Sequence, residues 1–345
     1  MLNLDTTLWG DIGLFCAAAA AIAVAGAKAA GLADRVADRT AMGEAVTGTV
    51  FLGFLTALPG LLASVTAAAK GLPAMAISNA MGGIAVQTTA LAIADIVYRR
   101  ANLEHAAASV PNMMQATILV ALMVLILCGL SGPDVVIGHV HPVTILLIVT
   151  AFSAFWLVVR TRDDPMWEPT ETDETVTDEP DDKHMQQSLR VMLTGLVIAA
   201  VITGLAGVVV AEAAENSVHK TGLPQSVVGG LFMALATSLP ELVTSIAAVR
   251  RGALTLAVSD IVGGNFFDVL FVAAADLAYF KGSIFHGDNV GLREVFLTSF
   301  TILLNVVLLA GLIYRQKRGP GNIGLESVLM LVLYLGGFLV LSLLM

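Results

Sequence analysis

The chain has 345 residues, 57% of them hydrophobic and 13% charged, with a mean hydropathy of +0.85. So little polar surface excludes a soluble globular domain of this length. The formal net charge of −9 sits largely in one acidic segment and argues against nucleic acid as a partner.

In chain order, apolar runs predict ten helices at 11–33, 45–69, 73–98, 112–131, 142–160, 190–214, 226–249, 255–280, 293–314 and 322–345. Each is near the ~20 residues that cross a bilayer core. Strict alternation is absent, so the expected fold is an all-α integral membrane protein and not a barrel. The first run is expected to be retained and not cleaved as a signal. Asp5 and Asp11 stand where a basic leader region would be, and Arg35 and Arg39 follow the run. Cys16 and Cys128 fall in the first and fourth runs and are expected to be small packing residues, not a disulfide. The second run holds "TALPGLLAS" (56–64), and the third holds Asn79, Gly83 and Gln87.

Between the fifth and sixth runs lies "RTRDDPMWEPTETDETVTDEPDDKH", 160–184. It is rich in acids, Pro and Thr and nearly free of aliphatic residues, so it is expected to be a disordered linker. Its acids lack the turn glycine and spacing of a calcium loop. The seventh run holds "TSLPELVTS" (237–245) and the eighth holds "SDIVGGNFFD" (259–268). His139, His141, His219 and His286 fall at one predicted face and are expected to be solvated.

Ten spans sort the basic residues. Arg35, Arg39, Arg99, Arg100, Arg160, Arg162, Lys183, Arg190, Arg250, Arg251, Arg315, Lys317 and Arg318 share one face, against Lys70, Lys220, Lys281 and Arg293 on the other. The positive-inside rule then predicts both termini outside the cell (inner) membrane and the acidic loop in the cytoplasm.

An offset of 181 residues lays the first half on the second without a gap. Gly48, Phe51, Thr56, Leu58, Pro59, Leu61, Ser64, Gly71, Ser78, Gly82 and Gly83 meet Gly229, Phe232, Thr237, Leu239, Pro240, Leu242, Ser245, Gly252, Ser259, Gly263 and Gly264. Asp95 and Tyr98 meet Asp276 and Tyr279. Apolar bias alone would not align prolines, glycines and serines in one register. The expected organisation is a five-helix repeat over 1–161, the acidic loop over 162–188, and a second five-helix repeat over 189–345. Because five is odd, the two repeats must be inverted. Inverted repeats place a transport site at the midplane, between interrupted helices.

The doubled motif carries charge in one copy. Glu241 and Asp268 fall near the middle of their spans, where a buried acid marks a functional site by default. Thr237 lies four residues before Glu241 on the same helix face, and Ser238 adds a second hydroxyl. Such oxygens suit a hard cation. Asp260 lies nearer the predicted cytoplasmic end of its span. Asp95 and Asp276 lie near span ends, where helix-end contacts are the expected role.

At these residues the sequence resembles the sodium/calcium exchanger family, within the cation/calcium antiporter superfamily. The stretch 236–270, "ATSLPELVTSIAAVRRGALTLAVSDIVGGNFFDVL", is similar to that family's second alpha repeat nearly throughout. The stretch 56–83 is similar to the first repeat, more weakly. The resemblance implies a divergent bacterial-type member with calcium coordinated by Glu241, completed by Asp268, and assisted by oxygens of Thr237, Ser238 and Thr56. Gln87 stands where the first repeat usually has Asn or Asp. Asp260, Asn265 and Asn79 complete the candidate set. Departures from the family pattern are Gly60 for a glutamate, Ala57 for a hydroxyl residue, Gly83 and Gly264 for small hydroxyl residues, and Ile84 where the second repeat keeps Asn265.

The resemblance implies alternating-access exchange of calcium for sodium or protons. Two carboxylates balance one divalent or two monovalent cations. A monovalent cation/proton antiporter of the same fold, and a non-transporting scaffold or cation sensor, are the alternatives. The expected partners are inorganic cations and the lipid bilayer. No cofactor is expected, since the cations are substrates, and no enzyme is expected, since neither a nucleophile–base pair nor HExxH is present.

Overall fold

The computed structural model describes residues 7–40, 53–98, 102–163, 170, 188–251, 254–317, 319 and 323–344. Apolar side chains leave the backbone no polar partner but itself, and the runs accordingly form helices. They are α1 (Leu8–Thr40), α2 (Gly53–Ala69), α3 (Pro73–Tyr98), the short α4 (Leu103–Ala106), α5 (Val110–Ser131), α6 (Pro142–Asp163), α7 (Leu189–Thr221), α8 (Gln225–Thr237), α9 (Leu239–Arg251), α10 (Leu254–Ala278), α11 (Leu292–Tyr314) and α12 (Leu325–Leu343). The described residues contain no strand, and a lone bridge joins Ile137 to Val140.

Among the described residues seven helices are long and apolar enough to cross a membrane: α1, α3, α5, α7, α10, α11 and α12. The α8–α9 pair makes an eighth, bent by 43°. Two further predicted runs form the shorter apolar helices α2 and 142–158 within α6. The chain is thus an all-helical integral membrane protein. The expected boundaries shift in places. The first helix starts at Leu8 and runs to Thr40, the sixth runs on to Thr221, and the seventh run is broken at Ser238. The start of the run at 45–69 and the acidic loop, apart from 162–163, Thr170 and Ser188, lie outside the described residues.

Local chemistry sets the helix ends. Ser109 caps α5 by accepting from Asn112 N at 3.3 Å, with Pro111 in the first turn. Gly222 ends α7 in the left-handed region, φ 71°. Gly71, φ 80°, makes the tight turn between α2 and α3. Pro240 falls in the first turn of α9, where its missing N–H leaves no helical bond unmade.

Burial orders the layers. Within their apolar windows α3 is 83% and α10 72% buried, against 28% for α1 and for α12. These two helices therefore form the centre. Close backbone approach needs glycine. A Cβ on Gly82 of α3 would sit 2.7 Å from Gly230 Cα of α8, and one on Gly53 would sit 3.3 Å from Gly264 N of α10. Gly26 of α1 abuts the Pro240 ring, and Gly207 of α7 abuts Pro59.

Contacts between helix ends sort them into two faces. At one, Lys70 donates to Glu212 and Glu215, Lys220 pairs with Asp11, and Arg293 Nη2 donates to Leu344 O at 3.0 Å. At the other, Arg315 Nη2 donates to His105 O at 3.1 Å. Asp95 and Asp276 are end contacts, as expected. Asp95 accepts from Leu103 N (2.8 Å) and Gly324 N (2.9 Å). Asp276 accepts from Ile284 N (2.7 Å), His141 N (2.8 Å) and Thr144 Oγ1 (2.6 Å).

Two expectations are corrected. His141 is buried, because its backbone N–H is tied to Asp276 and its ring packs on Phe285. Cys16 and Cys128 are free, but they face outward from the bundle and do not pack inside it.

Candidate functional site

Four segments meet at the centre: α2 after Pro59, α3 at Gly83–Gln87, the α8–α9 break at Ser238, and α10 at Gly264–Asp268. The break brings Thr237, Ser238 and Glu241 to one level of the bundle, and all three are buried. Glycines let the central helices close on them. A Cβ on Gly83 would lie 3.1 Å from Asp268 Oδ2 and 3.5 Å from Ser238 Oγ. A Cβ on Gly264 would lie 3.1 Å from Gln87 Oε1 and 3.8 Å from Glu241 Cγ. The two contacts mirror one another across the repeat offset.

Gln87 links the halves. Its Nε2 donates to Asp268 Oδ2 at 2.7 Å and to Ser238 Oγ at 3.3 Å. Thr56 is buried beside the Glu241 carboxyl, and its hydroxyl donates to Gly53 O at 3.3 Å. Thr237 turns its hydroxyl back to Met233 O (3.0 Å) and Ala234 O (3.2 Å), and it reaches Asn79 Oδ1 at 3.4 Å. Asn79 Nδ2 donates to Ser64 Oγ (2.8 Å) and Gly60 O (3.2 Å). Glu241, Asp268, Gln87, Ser238, Thr56, Thr237 and Asn79 therefore form one cluster.

The other two candidates stand apart. Asp260 is reached through Thr244, whose hydroxyl donates to Asp260 Oδ2 at 2.6 Å and lies 3.0 Å from Glu241 O. Asn265 turns to a separate network, donating to Thr88 Oγ1 at 3.0 Å.

Three buried oxygens in the cluster have no hydrogen-bond partner among the described residues: Glu241 Oε2, Asp268 Oδ1 and Gln87 Oε1. No ion pair reaches either carboxylate among the described residues. A buried unpartnered carboxylate oxygen costs several kcal/mol, as an order of magnitude, unless a cation or proton meets it. Oxygen-only donors suit calcium, sodium or a proton and do not suit a soft metal. No group of three or more His, Cys, Asp or Glu among the described residues is placed to hold a metal. The charge available is therefore that of two acids, supplemented by neutral oxygens.

Sequence reasoning missed three residues. Thr244 bridges Asp260 to Glu241. Glu294, an acid in the apolar run 293–314, accepts from Ser226 and from Ser78 at 3.3 Å and joins α11 to α8 and α3. Phe271 lies against Gly60, and a Cβ there would meet the ring at 2.6 Å. The repeat offset was the available signal for Phe271, since it pairs that residue with Ala90.

The family described as sodium/calcium exchanger protein matches residues 11–161 and 191–344. Inner membrane protein YrbG of Escherichia coli (strain K12) is 30% identical over 154 residues, 44% of this chain and 43% of that protein. Sodium/calcium exchanger MaX1 of Methanosarcina acetivorans is 27% identical over 88 residues, 26% of this chain and 24% of that protein. The matched stretches thus span less than half the length of these relatives. The fold superposes on the sodium-calcium exchanger NCX_Mj with a TM-score of 0.65 at 16% identity, covering 96% of this chain and 99% of that one. It superposes on the H+/Ca2+ exchanger CAX with a TM-score of 0.70 at 12% identity, covering 97% and 85%. At these identities the likeness to the solved structures is one of fold.

Proposed function

The chain belongs to the sodium/calcium exchanger protein family, and from that premise we propose that it is a secondary active antiporter exchanging calcium for sodium or protons. The observation that carries this reading is the set of unpartnered oxygens on Glu241, Asp268 and Gln87 at the centre of an apolar bundle. A calcium ion there is balanced by the two carboxylates and coordinated further by Ser238 and Thr56. Two sodium ions or two protons balance the same charge. Binding one set excludes the other, because the same oxygens serve both, and that competition couples the two fluxes.

Alternating access fits the bundle. Helix bounds recur at the repeat offset, Leu8–Thr40 with Leu189–Thr221 and Pro73–Tyr98 with Leu254–Ala278. We read this as a ten-span inverted repeat in which α2 and α6 also cross. Glycine contacts pair opposite halves, Gly26 with Pro240 and Gly207 with Pro59. Sliding α1 and α7 over these glycines would open the site first to one face and then to the other. The basic residues put both termini outside and the acidic loop in the cytoplasm. On this reading the protein transports cations, catalyses no chemical reaction and needs no cofactor.

The test is calcium flux into proteoliposomes, first under a sodium gradient and then under a pH gradient, with Glu241→Ala as control. Flux that follows one gradient and vanishes in the variant identifies the coupling ion. Absence of calcium flux in folded protein under both gradients overturns the calcium reading. The fact that Gly60 stands opposite Glu241 in the repeat favours a second reading, sodium/proton exchange, which is assayed in the same vesicles.

A further inference from the structure

The repeat is asymmetric in a compensated way. Gly60 in α2 is the counterpart of Glu241 in α9, and Ala90 in α3 is the counterpart of Phe271 in α10. Both first-half positions are thus small and both second-half positions large, and Phe271 of the second half reaches across to Gly60 of the first. A Cβ on Gly60 would lie 2.6 Å from Phe271 Cε2, 3.3 Å from Cζ and 3.5 Å from Cδ2. Gly60 and Phe271 are both buried. The ring therefore occupies the volume into which any side chain at position 60 must project, and a close-packed interior holds no second place for it.

Phe271 also follows Asp268 by three residues, so the two share a face of α10. The helix that supplies a carboxylate to the site supplies, one turn on, the apolar wall of the opposite half-site. Gly60 is held in place beneath that wall, since its carbonyl accepts from Asn79 Nδ2 at 3.2 Å.

We propose that Phe271 closes the first half-site with an aromatic ring, excluding a carboxylate at position 60, so that charge can be balanced only around Glu241 and Asp268. The inference rests on the antiporter reading. It adds to that reading the residue that bars a third carboxylate from the site. Exchanging each residue for its repeat counterpart, Gly60→Glu after Glu241 and Phe271→Ala after Ala90, would open the half-site and supply a third carboxylate.

The experiment uses the full chain with three variants: Gly60→Glu, Phe271→Ala and the double substitution. Thermal unfolding in detergent without calcium or sodium reads packing alone. The sodium concentration dependence of calcium flux in proteoliposomes reads capacity. Gly60→Glu alone is expected to lower the thermal midpoint, because the new side chain meets the ring. The double variant is expected to regain much of that loss and to show a steeper sodium dependence than the parent. Phe271→Ala alone shows whether opening the wall is tolerated, and it is expected to keep the parent's steepness. Two results overturn the proposal: Gly60→Glu alone folding as the parent with a steeper dependence, or a folded double variant whose steepness is unchanged. If the parent itself carries no calcium, the antiporter reading fails. The unfolding cycle still decides whether the ring fills the half-site.

Discussion

Gln87 joins the two halves at a single side chain, donating to Asp268 and Ser238 while its own carbonyl oxygen is left unpartnered. Truncating it removes the oxygen that the proposed cation would meet and leaves Asp268 Oδ2 without its donor. A hydrogen bond to a charged group contributes about 1–3 kcal/mol. Gln87→Ala should therefore raise the half-saturating calcium concentration of flux about tenfold or more, and the calcium dependence in proteoliposomes measures it. A second residue-scale test lies outside the membrane spans. Burial pushes the Glu104 carboxyl well above its ordinary value of 4.5, and Asp95 and Glu326 nearby push it further. The folded protein then holds this proton to a higher pH than the unfolded chain does. Deprotonation therefore opposes folding, and stability falls as pH rises from about 4.5 through the raised value. Glu104→Gln should raise the thermal midpoint at pH 8 relative to the parent, with the gain shrinking towards pH 4. Acids such as Glu241 and Asp268 are legible in the sequence because a charge in an apolar run needs a reason. Thr244 and Phe271 are not legible alone, because a hydroxyl or a ring in such a run fits ordinary packing equally well.

The break between α8 and α9 is an element-scale device. The tandem motif announces it through proline, but proline alone does not say where the helix bends. Pro59 sits inside α2, whereas Pro240 falls in the first turn of α9, past the break at Ser238, and a π-helical turn spans Val228–Met233 within α8. Gly229 and Gly230 let α8 press its backbone on α3, and the wider turn takes up the register. A methyl group at position 82 would sit 2.7 Å from Gly230 Cα, against backbone that has nowhere to move. Gly82→Val should cost about 3 kcal/mol or more through overpacking. It should appear as a lowered thermal midpoint and a loss of folded protein on gel filtration. Gly336→Val in α12 is the control, since nothing lies within 4 Å of a Cβ there, and its midpoint should stay near the parent's. Span positions followed from hydropathy to within a few residues for most helices. The extension of α7 to Thr221 did not, because its last turns carry Glu212, Glu215 and Lys220, which read as interfacial. Those charges are partnered across the bundle, Glu212 and Glu215 by Lys70 and Lys220 by Asp11, so the helix can continue through them.

At the scale of the whole molecule, the arrangement of charge decides how transport responds to voltage. The two halves share a fold but divide the work unequally. The second half holds Glu241 and Asp268, and the first offers Gly60 and Gln87 at the same positions. A site with two carboxylates is neutral when it holds one calcium ion, and neutral again with two sodium ions or two protons. On the proposed cycle both crossings of the bilayer are then made by an uncharged site, and no net charge moves. A cycle moving one charge would gain or lose about 2.3 kcal/mol per 100 mV, roughly a fiftyfold change in the driving equilibrium. A neutral cycle should show none of this. In proteoliposomes at saturating calcium and sodium, a potassium-diffusion potential of either sign should leave the exchange rate unchanged. A rate that rises with one polarity and falls with the other would mean that a third cation rides in the cycle, with its charge balanced outside the Glu241–Asp268 pair. Repeating the measurement on the Gly60→Glu/Phe271→Ala variant separates the causes. If carboxylate count sets the charge moved, adding one acid to the first half should make the rate respond to voltage where the parent's does not.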